Sequence, residues 1–360
     1  MRGRIFVIGA SQGGIQAVSA LIAQLPASFP APLFVAQHIA ASSLGGLPRI
    51  LGRAGCLPAA HPRNMEIIQG GRVYVAPPDM HMLVQHGYVW LSRGPRENHV
   101  RPAIDPLFRS AASAYGAAVV GVVLTGHLDD GTAGLMAVKD RGGIAIVQDH
   151  AEAVAPSMPR SAQAHVCIDH CCTLSEMGAI LVNLANDDVG SQVRDVNPLI
   201  EIETRIAAGE LNLADWSQFE KRSVPSGLNC PDCSNVLFEV RDDRMIRFRC
   251  RAGHAFSARC LLEEQARTRE KTIAGLYGSF VGEATLASRL LGSTVLDDPG
   301  LRAAFSDQVS EASRKATQVG QWLNSSAEGG NAMGAVPGAT RTQPDIEPAG
   351  IEDSVIPRCW

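Results

Sequence analysis

The sequence predicts an α/β fold: a doubly wound, mostly parallel sheet over its first half, followed by a small ribbon-like and α-helical C-terminal region. Two observations predict the sheet. Short apolar runs at residues 5–8, 33–36, 119–124 and 144–147 alternate with segments of helical periodicity across residues 5–185. The run at 119–124 is continuously apolar and, apart from Gly121 and Leu124, β-branched, as expected of a strand covered on both faces rather than one. The ribbon follows from a third observation, four Cys and His residues bunched between positions 230 and 254.

Bulk properties exclude several classes. At 360 residues the chain can bury one sizeable core and a smaller unit. A net charge of -4 provides no global basic field for nucleic acid or an anionic membrane. No run approaches the roughly 18 apolar residues of a membrane span. Arg2 and Arg4 precede an apolar run too short for a signal peptide, so a cytoplasmic location is expected. Nine cysteines, an odd number without a secretion signal, argue against a disulfide framework. Cys56, Cys167, Cys171, Cys172 and Cys359 show no partner spacing and read as small apolar residues or surface thiols.

Taken in order, a strand at 5–8 leads through glycines into a helix at 15–24 closed by Pro26, and a second strand at 33–36 ends on Gln37 and His38. A helix near 47–52 precedes a hairpin-like section with strands near 71–76, 82–85 and 88–92, its tip at His86 and Gly87. A helix at 105–115, the strand at 119–124, a polar turn at 125–131, a helix from 134 and the strand at 144–147 follow. A loop containing Pro156, Met158 and Pro159, a short strand at 167–168 and a helix at 175–184 complete the alternation.

Residues 5–14 hold the first chemical signal. Gly9-x-Ser11-x-Gly13 matches a nucleophile elbow, a sharp strand-to-helix turn that exposes a hydroxyl. A Gly-rich strand-helix turn also serves phosphate, so both readings stand on this stretch alone. Ligands on such sheets meet the carboxyl ends of the strands, and three polar residues lie there: Ser11, His38 and Asp130. If their strands are neighbours, they supply a nucleophile, an imidazole base and a carboxylate that sets its tautomer. Taken singly, His38 also reads as a strand-end histidine and Asp130 as a helix cap. The order Ser-His-Asp differs from that of the α/β-hydrolases. A dinucleotide fold wants an acidic residue where Gln37 and His38 stand, and Gly9, Gly13 and Gly14 miss the G-x-G-x-x-G spacing.

These residues resemble a known family. Val7-Ile-Gly-Ala-Ser-Gln-Gly-Gly14, Val35-Ala-Gln-His38, Val73-Tyr-Val-Ala-Pro77, His99-Val-Arg-Pro-Ala-Ile-Asp105 and the turn at 125–131 look like the catalytic domain of the CheB chemotaxis methylesterases, in consistent order over about residues 4–185. The resemblance implies hydrolysis of glutamate γ-methyl esters on the cytoplasmic helices of chemoreceptors, with glutamine deamidation beside it and no cofactor for catalysis. It assigns Ser11 as nucleophile, His38 as general base and Asp130 as third member. The family turn usually reads T-G-M-G-x-D-G; here Leu128 replaces its second glycine and Asp129 is a rival carboxylate. Gln12 stands where Thr is common, although a backbone N–H there suffices for an oxyanion hole. Family members commonly begin with a phosphorylatable receiver domain. This sequence starts on the first catalytic strand, so phospho-aspartate control in cis is not expected. His99 and Arg101 fall at the cleft rim, where they grip a receptor segment or form an ordinary surface loop. The alternative function is a degenerate esterase fold that binds other chemosensory signalling proteins.

The expected divisions are a catalytic domain over 1–186, a linker with a short helix at 198–208 over 187–225, a zinc-ribbon-like module over 226–260, a helical hairpin over 261–324 and a disordered tail over 325–360. Cys230, Cys233, Cys250 and His254 give C-x2-C and C-x3-H around strands at 236–240 and 245–249, a pattern suited to a closed tetrahedral structural zinc. Cys260 lies too far along for the same knuckle and is a poor substitute ligand. Similar ribbons follow methylesterase-like domains in some bacterial chains. No direct membrane insertion and no nucleic acid partner are expected.

Overall fold

In a computed structural model the described residues are 3–188, 197–210, 212–240, 242–293 and 298–330. The chain divides into two compact units, Met1–Leu262 and Glu263–Trp360. In the first, β1 (Ile5–Ala10), α1 (Gly14–Ala23), β2 (Leu33–Gln37), α2 (Leu47–Ala54), β3 (Ala59–Ala60), β4 (Glu66–Ile67), β5 (Val73–Val75), β6 (His81–Gln85) and β7 (Tyr88–Ser92) come first. They are followed by α3 (Ile104–Tyr115), β8 (Val119–Val123), α4 (Thr132–Asp140), β9 (Ile144–Gln148), α5 (Ser157–His165), β10 (His170–Cys172) and α6 (Leu174–Asn186).

Seven strands form a parallel sheet in the order β10-β9-β8-β1-β2-β5-β3. All six residues of β1 are buried because helices cover both of its faces. Alternation sends Ile5 and Val7 towards Ile104, Leu107 and Phe108 of α3 and Leu135 of α4. Phe6, Ile8 and Ala10 point the other way, to Val18 and Leu21 of α1, Leu51 of α2 and Leu181 of α6. β1 lies between β2 and β8, so the neighbour relation that the three polar strand ends require is met.

Three local expectations are corrected. The strand at 71–76 is not part of the hairpin: β5 pairs parallel with β2, its three residues buried, while β4, β7 and β6 form a small antiparallel sheet turning at His86 and Gly87. The loop containing Pro156, Met158 and Pro159 is α5; both prolines occupy the first turn or its cap, where a missing N–H costs nothing. The last strand lies at His170–Cys172 rather than 167–168.

Of the segment read as a linker, 187–225, residues 189–196 and 211 lie outside the described residues and the rest is largely helical. It contains α7 (Pro198–Ala208), as expected, and α8 (Leu213–Glu220), which was not. Leu199, Ile202 and Ile206 of α7 pack on Trp216 and Phe219 of α8 and on Phe238 and Val240. The ribbon starts earlier than 226: β11 (Ser223–Asn229), β12 (Val236–Val240), β13 (Arg247–Cys250) and β14 (Ala255–Ser257) form one antiparallel sheet within the first compact unit. α9 (Ala258–Leu291) then crosses into the second unit. There it pairs antiparallel with α10 (Pro299–Gly330), through the Gln308–Glu283 bond of 2.8 Å and Lys315 over the Phe280 ring. α10 continues past the expected end of the hairpin at 324; the rest of the expected tail, 331–360, lies outside the described residues.

A cluster of buried charges joins the ribbon to the layer around the parallel sheet. Glu97 Oε1 accepts from Arg109 of α3 at 2.6 Å and from Arg249 of β13 at 3.0 Å, and Glu203 of α7 pairs with Arg249 and Arg247. Burial raises the Glu97 and Glu203 carboxyls, yet the surrounding guanidiniums outweigh it and leave both below the usual carboxylate range.

Candidate active site and metal centre

Ser11 follows β1 and precedes α1, on a turn tied down from three sides. Its N–H donates to the Thr125 carbonyl at 2.9 Å, its carbonyl accepts from the Gln37 side-chain amide at 2.7 Å, and the Thr125 hydroxyl donates to the Gln12 carbonyl at 2.9 Å. Gly13 caps α1 at φ 75°, a left-handed conformation that glycine adopts without steric cost. Gly126 allows the neighbouring loop to come close: a Cβ there would stand 2.8 Å from Ser11 Cβ and 2.0 Å from Met158 Sδ.

His38 lies one residue beyond β2, and its N–H donates to the Ala10 carbonyl at 3.0 Å, which sets it beside the serine. Its Nδ1 is 3.1 Å from Ser11 Oγ and its Nε2 2.7 Å from Asp130 Oδ2. An ionised carboxylate at Nε2 requires a proton there, so Nδ1 is the lone-pair nitrogen and accepts from the Ser11 hydroxyl. The two ring nitrogens therefore exchange the partners they have in a chymotrypsin-type triad.

Asp130 sits on the turn between β8 and α4. Beyond His38, Oδ2 accepts from the Ile104 N–H at 2.7 Å; Oδ1 accepts from Asn98 Nδ2 at 3.0 Å, the Gly131 N–H at 3.1 Å and the Asp105 N–H at 3.2 Å. Burial alone would raise its pKa, but the His38 bond and charge, the Ile104 amide and the Asn98 amide hold it down at about 2. Asp105 nearby is pushed well above the ordinary carboxyl value by burial and by the Asp130 charge, against the Gly134 N–H. Asp129, the rival carboxylate, turns away: its Oδ1 accepts from the Ser257 hydroxyl at 2.5 Å.

The match to known proteins covers the parallel-sheet part of the first unit. The CheB methylesterase family model aligns with residues 6–181. A putative protein-glutamate methylesterase/protein-glutamine glutaminase of Leptospira interrogans is 38% identical over 184 residues, 51% of this chain and 95% of that one. The chain belongs to the CheB methylesterase family. The protein-glutamate methylesterase FrzG of Myxococcus xanthus is 36% identical over 179 residues, 49% of this chain and 54% of its own. The catalytic domain of Thermotoga maritima CheB methylesterase aligns at a TM-score of 0.49 and 34% identity, over 51% of this chain and all of that one.

Within this CheB methylesterase domain Leu128 stands where the family turn has its second glycine. Leu128 takes the left-handed conformation itself, at φ 60°, and its side chain packs against the ribbon's apolar cluster. Left-handed backbone costs a non-glycine residue about 1–2 kcal/mol, and the partly buried leucine packed on the ribbon works against that cost. Arg101 does not project into a cleft: its guanidinium meets Asp79 at 2.7 Å and the carbonyls of Arg93 and Gly94. His99 Nδ1 meets Asp232 of the ribbon at 2.7 Å. Sequence reasoning missed Asn98 and Ser257, which belong to no spacing pattern, and gave no role to Asp105 at the end of the 99–105 motif; only the fold brings them to the Asp130 turn.

Cys230, Cys233, Cys250 and His254 converge, with ligand atoms all within 4.8 Å of one another. Cys233 Sγ is 3.6 Å from Cys250 Sγ, and His254 Nδ1 is 3.6 Å from Cys250 Sγ and 3.7 Å from Cys230 Sγ. A zinc tetrahedron with bonds of about 2.3 Å to sulfur and 2.0–2.1 Å to nitrogen has edges of roughly 3.5–3.8 Å, so the donor set fits that metal. Ser234 at φ 62° and Gly253 at φ 92° close the two knuckles. Cys260 is buried in the cluster beneath but stands outside the ligand set. Among the described residues no helix is long and apolar enough to cross a membrane.

Proposed function

We propose that this chain is a protein-glutamate methylesterase, with Ser11 as nucleophile, His38 as general base and Asp130 as the residue that fixes the imidazole. One observation carries the reading: a single imidazole contacts the serine hydroxyl through one nitrogen and a buried, ionised carboxylate through the other. Ser11 Oγ attacks the γ-ester carbonyl as its proton passes to His38 Nδ1, and the developing oxyanion takes the Gln12 backbone N–H of the elbow. Collapse breaks the carbon–oxygen bond, with His38 returning the proton to methoxide, so methanol leaves an acyl-enzyme on Ser11. Water, deprotonated by His38, then releases the glutamate carboxylate and restores the serine. A glutamine side chain enters the same cycle with ammonia as leaving group.

The substrate proposed is a methyl-accepting chemoreceptor, by kinship with relatives named for protein-glutamate methylesterase and protein-glutamine glutaminase activity. Cys230, Cys233, Cys250 and His254 are proposed to hold a structural zinc, which would cross-link the two knuckles and take no part in catalysis, because four protein ligands leave no open position. Incubating methylated receptor with wild type and with Ser11→Ala and following methanol tests the reading. Wild type is expected to release methanol well above the variant; equal background from both would sink it.

A further inference from the structure

We propose that the Cys₃His ribbon is a positioning element for the triad, acting on Asp130 through the Asn98 carboxamide and, by way of Asp129, through the Ser257 hydroxyl. The proposal takes its substrate from the methylesterase reading, but its geometry stands on the Ser11–His38–Asp130 line alone.

β14 reaches the Asp130 turn by two routes. By the first, the Asn98 N–H donates to the Ala255 carbonyl at 2.8 Å and Asn98 Oδ1 accepts from the Ser257 N–H at 2.9 Å. The same carboxamide then donates from Nδ2 to Asp130 Oδ1 at 3.0 Å and to Asp105 Oδ2 at 3.3 Å. By the second, the Ser257 hydroxyl donates to Asp129, the residue before Asp130, and Leu128 before that packs into the ribbon's apolar cluster. One three-residue strand thus holds both Asn98, which donates to the carboxylate that orients His38, and Asp129, the residue before that carboxylate.

The connection continues to the knuckle. His254 immediately precedes Ala255, and its carbonyl accepts from the Cys250 N–H at 2.9 Å. Asp232, between Cys230 and Cys233, meets His99, the neighbour of Asn98. Asn98 and His99 are both left-handed, at φ 51° and 62°, a conformation that two consecutive non-glycine residues hold only where their surroundings over-determine it. Here the surroundings are β14, Asp232 and, through Glu97, Arg249 of β13. Asn98 touches neither Ser11 nor His38, so it is a positioning residue and not a catalytic one.

The test uses the full chain and two readouts: the rate at which a fluorophosphonate labels Ser11, which needs the triad and no particular substrate, and methanol release from methylated receptor. Asn98→Gly tolerates the left-handed backbone and removes only the carboxamide. It is expected to slow labelling and kcat about 10- to 100-fold with KM within about twofold, because small misplacements of a catalytic group act on kcat. Asn98→Asp keeps the size and the acceptor for Ser257 but sets a carboxylate oxygen against Asp130 and Asp105; it should fall at least as far. Ser257→Thr retains the hydroxyl and should stay within about threefold of wild type, while Ser257→Ala loses about tenfold. If Asn98→Gly does not fold, the Ser257 pair decides. Asn98→Gly labelling at the wild-type rate, or Ser257→Ala matching Ser257→Thr, overturns the proposal. Labelling by wild type without methanol release would remove the methylesterase reading and leave the labelling comparison to judge the positioning.

Discussion

Replacing Asp130 with asparagine asks most of the proposed chemistry. The carboxylate accepts five hydrogen bonds, two at Oδ2 and three at Oδ1. An asparagine keeps one oxygen, which the three donors at the Oδ1 side hold there, and places its NH₂ against the Ile104 N–H and His38. The imidazole then has a donor at Nε2 and shifts its proton to Nδ1, the nitrogen that must accept from Ser11. A wrong tautomer in a triad costs about 10⁴-fold in kcat. Stability falls as well. Displacement of the Asp130 pKa from the ordinary 3.8 to about 2 corresponds to roughly 2 kcal/mol of folding free energy. Because the folded pKa is the lower one, that contribution is complete above about pH 4 and is lost as pH falls towards 2. The variant should therefore lose roughly 2 kcal/mol at pH 7 and lack the part of the acid transition that wild type shows between about pH 4 and 2. Ser11 labelling rates and urea unfolding at pH 7 and pH 3 measure both. Asp129→Asn, which keeps an oxygen for the Ser257 hydroxyl, should fall less than tenfold in labelling. The reverse ranking of the two variants would refute the reasoning.

Other substitutions probe other parts of the molecule. Arg249→Met leaves Glu97 and Glu203 short of a shared guanidinium and should cost about 3–5 kcal/mol by denaturant unfolding; a loss below about 1 kcal/mol would show that the cluster tolerates its absence. Gly126→Ala puts a methyl 2.8 Å from Ser11 Cβ, so kcat should drop by about 100-fold, and activity within threefold of wild type would contradict the close approach. Cys233→Ser removes one of four donors, and zinc per chain should fall from about one equivalent to near zero; unchanged metal content would count against the tetrahedral site.

What the sequence determined by itself is whatever depends on local pattern. Continuous β-branched runs mark strands buried on both faces, turn glycines mark the elbow, and C-x2-C with C-x3-H marks two knuckles; all are encoded within a few residues. Ser11, His38 and Asp130 are candidates on the sequence alone because strand ends in a parallel sheet share one edge. Only the tertiary structure decided which of two adjacent carboxylates meets the imidazole, since Asp129 and Asp130 differ by which way one turn points them. It also decided that the presumed linker and the ribbon belong to one compact unit with the catalytic sheet. Asn98 and Ser257 lie 159 positions apart, and no periodicity relates them. Their pairing depends on where two sheets pack, through a buried charge cluster and a leucine in left-handed backbone, and that is a property of the assembled chain.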